Sequence, residues 1–88
     1  MMRPLPEGVT QSVFGREIMR WGTGHDAARA RIRTISAEVL RSQGVTVEMA
    51  KAWRDFYRAV VAENPGNPSA AGRADLMDHV ANLLTELP

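Results

Sequence analysis

Few residues in this chain combine a reactive type with a useful spacing. Asp75 and His79 stand four apart in a stretch of helical periodicity, which puts a carboxylate and an imidazole on one face. Such a pair could share a proton or offer two ligands to a metal. The ordinary outcome of that spacing is a surface hydrogen bond, and only the dipeptide His25-Asp26 is available to join it. Nothing resembles a metal-binding signature. There is no cysteine to serve as nucleophile or thiolate ligand. Gly22-Thr23-Gly24 is too short for a phosphate loop, and no serine sits in a turn-and-base pattern. No catalytic residue, cofactor or metal site is assigned, and the balance is against an enzyme.

Binding is better represented than catalysis. Ser69 opens the last helical segment, Gly72 faces inward one turn later, and Arg73 projects onto the apolar side beside Leu76 and Met77. A glycine there costs helix stability, so it points to a close backbone approach. Arg73 either snorkels outward, stacks on Trp53 or Tyr57, or pairs with a carboxylate. The open N–H groups of that turn could instead receive an anion. Ser69, Gly72 and Arg73 thus form a candidate interaction or anion site, with a structural cap as the plainer reading. A second candidate is the basic surface of Arg16, Arg20, Arg29 and Arg33. On a helix Arg31 points away from Arg29 and Arg33, so the run makes no continuous phosphate-binding stripe, and partial pairing with acids is the simpler expectation.

The stretch from Ser36 to Glu63 has the outline of a DNA-binding helix–turn–helix, because Gly44 lies in the turn. The details oppose it. Leu40 stands where that motif uses a small residue. Thr46-Val47-Glu48-Met49-Ala50 carries an acid and no base, and Arg54 and Arg58 come too late to lead into a groove. Nucleic acid is an unlikely partner.

The elements that carry these residues follow from periodicity and caps. A first helix over Val13–Trp21, capped by Thr10 or Ser12, presents Phe14, Ile18 and Trp21 on one face and Arg16 and Arg20 opposite, with Gly15 as a weak point. A second starts near Asp26 with Ala28, Ile32 and Ile35 inward, although the alternation of Arg29, Arg31 and Arg33 is also a strand pattern. A third runs from Ser36 to Gln43, where Gly44 fits the left-handed position after the helix and Val45 its contact with Leu40. Thr46 caps a fourth over Val47–Glu63, whose stripe is Met49, Ala52, Trp53, Phe56 and Val60 with Tyr57 on the edge, and which carries a Lys51–Asp55 pair. Asn64-Pro65 ends it. Ser69 caps the fifth, Ala70 to about Glu86, with Gly72, Leu76, Val80, Leu83 and Leu87 inward, widened by Met77 and Leu84.

The expected architecture is all-α: a compact bundle of four to five helices, with two longer C-terminal helices packed on shorter N-terminal ones. Residues 1–11 form a flexible proline-rich lead-in, and residues 12–88 a single helical domain. Eighty-eight residues without a disulfide must cohere through packed apolar faces or an oligomer interface. The net charge is only +1, but residues 16–41 carry six arginines against three acids, whereas four bases face six acids beyond residue 41. That asymmetry suggests internal pairing first and self-association second. The lead-in has no apolar signal core and no run approaches a membrane span, so a cytoplasmic location without membrane insertion is expected.

Three stretches resemble a known family: Phe14 to Gly24 (FGREIMRWGTG), Trp53 to Arg58 (WRDFYR) and Asn64 to Met77 (NPGNPSAAGRADLM). They are similar to a family of small uncharacterised bacterial proteins of about this chain's length, a domain of unknown function whose segments also end larger toxin-like proteins. The resemblance implies no active site, and it favours an accessory or interaction role. The expected function is accordingly a small protein-interaction module that binds a protein partner or itself, without catalysis. The alternatives are an effector or toxin-like module, with Arg54, Arg58, Arg73 and His79 as its polar actors, and then a weak nucleic-acid binder.

Overall fold

The computed structural model describes residues 4–24 and 26–86. Among these, every regular element is helical: α1 (Gln11–Val13), running directly into a π-helical segment (Phe14–Met19), then α2 (Ala27–Arg31), α3 (Ala37–Ser42), α4 (Val47–Glu63) and α5 (Ala70–Glu86). The alternating Arg29–Arg33 stretch is helix and turn, not strand.

Local signals set most boundaries. Thr10, Ser36 and Thr46 each accept a hydrogen bond through the side-chain hydroxyl from the N–H three residues on, which caps α1, α3 and α4. At the end of α3, Gly44 adopts φ +85°. The Val45 N–H donates to Leu40 O at 3.0 Å and the Gly44 N–H to Arg41 O at 3.0 Å, the paired bonds of a Schellman motif. Asp26 precedes α2 without a side-chain cap bond.

The first helix departs from expectation. Its turns after Val13 are widened to π geometry, it stops at Met19, and Arg20 enters the left-handed region at φ +55°. The N–H groups of Arg20 and Trp21 both reach back to Gly15 O. Widening brings residues five apart onto one side, so Met19 is fully buried together with Phe14 and Ile18. Trp21 lies beyond the helix end and folds back over Gly15. A Cβ on Gly15 would stand 2.7–2.9 Å from the indole, so glycine is what admits the ring.

α4 and α5 form an antiparallel pair: Tyr57 meets Arg73 while Arg54, nearer the start of α4, meets Asp78, further along α5. The buried line of α4 is Ala50, Trp53 and Tyr57. It is rotated from the expected stripe, so Tyr57 is central while Phe56 and Val60 pack at its margin. Asp55 pairs with Arg54 at 2.9 Å rather than with Lys51. α5 is covered from several sides, with Ala70, Ala74 and Ala81 buried as well as Leu76, Met77, Val80 and Leu84. α2 and α3 also pack against it. Leu87 lies outside the described residues.

All five aromatic residues meet in one cluster. Phe14 stacks on Trp53 at 5.1 Å between ring centroids, Trp21 lies 5.6 Å from Trp53 and 5.3 Å from Tyr57, and Phe56 closes on Tyr57 at 5.0 Å. Residues 4–10, part of the expected flexible lead-in, lie against this core: Pro6 is buried and the Trp53 indole N–H donates to Pro4 O at 2.9 Å.

Candidate functional site

The widened turn, the left-handed Arg20 and the back-folded Trp21 together shape a concave face. Two adjoining hollows open there, of about 530 and 480 Å³. They share a wall made by Gly15, Arg16, Trp21 and Arg73. The first continues to Arg20, Gly22 and Thr23, the second to Gln11, Ser12 and Phe56. Among the described residues, three arginines border this face and no carboxylate lines either hollow.

Arg73 anchors it. Its guanidinium lies 5.1 Å from the centroid of Trp21 and 5.6 Å from that of Tyr57. It donates to Gly22 O at 2.6 Å and to the Tyr57 hydroxyl at 3.3 Å. The Nε–H is buried and has no hydrogen-bond acceptor among the described residues. Of the outcomes open to Arg73, stacking on Tyr57 is realised, but the second ring is Trp21 and not Trp53. Tyr57 follows Trp53 by one helical turn, and Trp21 reaches Arg73 only because Gly15 lets it fold back.

Arg31 fixes the end of the π-helical segment. It donates to Met19 O at 2.9 Å, to Ile18 O at 3.4 Å and to the Thr34 hydroxyl at 2.9 Å, filling carbonyls that a helix end leaves open. Burial, and secondarily the charge of Arg20, lowers its pKa from the ordinary guanidinium value. The helical periodicity that turns Arg31 away from Arg29 and Arg33 is what sends it to these carbonyls.

The other candidate residues are dispersed. Ser69 accepts from the Gly24 N–H at 2.9 Å, tying the loop after Trp21 to the start of α5. Asn67, which sequence reasoning missed, accepts from the N–H groups of Ser69 and Ala70 at 2.9 and 3.0 Å. An asparagine whose side chain can accept from the N–H two residues on, just ahead of a helix start, is a recognised signal for that side-chain turn. Gly72 is buried on the first turn of α5. Arg29 leaves the basic surface to pair with Asp75 at 3.0 Å, and Arg33 is exposed on the turn after α2. Arg54 and Arg58 converge on Asp78 at 3.4 and 3.6 Å. The hydrogen bond that Arg54 donates to Asp55, followed by the one it donates to Asp78, raises the Arg54 pKa. His79 is half-buried, and the Asp75 carboxylate beside it is engaged by Arg29. His25 lies outside the described residues. Arg16 and Arg20 remain: both are exposed, and neither has an ion-pair partner among the described residues.

No helix is long and apolar enough to cross a membrane among the described residues. No curated protein matches the chain. A solved NMR structure of a protein from Acinetobacter baumannii is similar to it: 38% identity over 94% of this chain and 80% of that one, with a TM-score of 0.78. The model of a domain of unknown function, DUF4951, matches residues 2–84. With nearly its whole length matched, the chain belongs to the DUF4951 family.

Proposed function

We propose that this protein is a binding module without chemistry of its own, and that it meets a protein partner through the concave face around Trp21. One observation carries the reading. Arg29, Arg54 and Arg58 each face an aspartate, whereas Arg16 and Arg20 converge on a hollow that contains no acid among the described residues. Charges of one sign gathered at a concave surface raise the local concentration of the opposite charge and steer association. The cation–π and hydrogen-bond contacts of Arg73 give that face a firm floor, and rigid floors bind at lower entropic cost.

A photo-crosslinking side chain at position 16 should trap a discrete protein adduct in the native host, while the same group at position 33 should not. Equal adducts at both positions, or none at either, would remove this reading. An effector or toxin-like module is the rival. It predicts that induced expression arrests a bacterial host and that His79→Ala or Arg54→Ala relieves the arrest without unfolding the protein. Harmless induction favours the binding module.

A further inference from the structure

We infer that the occupant of this face is an acidic peptide segment of a protein partner, whose carboxylates sit at Arg16 and Arg20 and whose apolar side chains enter the adjoining hollow beside Phe56. This rests on the binding-module reading and adds the chemistry of the ligand.

Three observations select that chemistry. Arg16 and Arg20 are exposed and unengaged by any acid among the described residues, and Arg73 adds a third positive charge to the same wall. A guanidinium presents a planar fork matched to a carboxylate, and two of them at one rim favour a ligand with more than one negative group. The second hollow keeps Arg16 and Arg73 on the shared wall, but Gln11, Ser12 and Phe56 stand where the first has Arg20, Gly22 and Thr23, so an apolar group flanked by polar ones fits there.

Single-stranded nucleic acid fits less well. Its binding relies on open aromatic faces for base stacking. Trp21 and Tyr57 are only 7% and 9% exposed, and Arg73 already covers both rings. A second copy of the chain could offer acids too. However, Asp55, Asp75 and Asp78 are paired with arginines on its own surface, and its other acids lie nine or more residues from one another in sequence, so no segment of it offers neighbouring free side-chain carboxylates.

The test uses the full chain, labelled for NMR, and three probes: a capped hexapeptide with four glutamates flanking a leucine–phenylalanine pair, the same peptide with glutamines, and an oligothymidylate. The glutamate peptide should shift amide signals from Gly15 to Thr23 and of Arg73, and the glutamine peptide should bind far more weakly. Arg16→Gln and Arg20→Gln should each weaken binding about two- to fivefold, the scale of an exposed charge pair. Arg33→Gln should change nothing. Both rim variants should keep the wild-type circular dichroism spectrum, because neither side chain holds the fold together. Raising salt from about 50 to 300 mM should weaken binding as the screening length falls.

Tighter binding of the oligothymidylate overturns the inference, as do shifts spread equally over Arg33 and Arg58 or equal binding of the glutamine peptide. If no probe shifts these amides but dilution of the protein alone does, the face joins two copies. The acidic-peptide inference then fails while the binding-module reading stands. If neither probes nor dilution move them, and position 16 traps no adduct, both fail.

Discussion

Gly15 and Arg73 show how a single residue can carry a shape. Helix propensity alone makes Gly15→Ala favourable by about 1 kcal/mol. The Cβ would stand 2.7 Å from a buried indole that packs against Phe14, Trp53 and Tyr57. Overpacking of that kind costs about 1–3 kcal/mol, so Gly15→Ala should lower stability in urea unfolding and move Trp21 signals. A stabilised variant would show that the ring tolerates displacement. Arg73→Ala removes two hydrogen bonds and two ring contacts and should cost about 1–2 kcal/mol. Arg73→Lys should recover only part of that loss, since an ammonium cannot stack flat while reaching both Gly22 O and the Tyr57 hydroxyl. Full rescue by lysine in thermal unfolding would mean that charge alone matters at this position.

At the scale of elements, the bounds of α4 were legible because their causes are local: Thr46 caps its start, and Pro65 displaces the residue after its end. The end of α3 was legible for the same reason, since Gly44 needs only its own backbone angle. The π-helical segment was not legible. Its width depends on Trp21 seating against Gly15 and on Arg31 reaching the Ile18 and Met19 carbonyls, neither of which periodicity encodes. The rotation of α4 toward Tyr57 has the same origin, because Arg73 and Trp21 approach from other elements. The site was visible only in pieces. Arg16, Arg20 and Arg73 were all singled out, but as two separate patches, and the fold is what joins them. Trp53, 3% exposed at the middle of the α4 interface, supports a firmer expectation. Trp53→Ala should cost about 3–5 kcal/mol, the range for a buried aromatic. A loss below about 1 kcal/mol in urea unfolding would show that the aromatic cluster is not what holds the helices together.

Across the whole molecule, ion pairs join three arginines to three aspartates. The basic N-terminal half and acidic C-terminal half meet where Arg29 faces Asp75, and α4 is joined to α5 through Asp78. Arg16 and Arg20, next to the hollows, stand outside these pairs.

The central position of α5 also has a bearing on biosynthesis. Every earlier helix is translated before the one against which α2, α3 and α4 pack. A nascent chain halted before Ala70 carries Phe14, Trp21 and Trp53 but lacks the surface that encloses them, and Ser69 has not yet tethered the Gly24 loop. Folding must therefore wait for the last helix to leave the ribosome. Until then the aromatic side chains are open to chaperones or to one another.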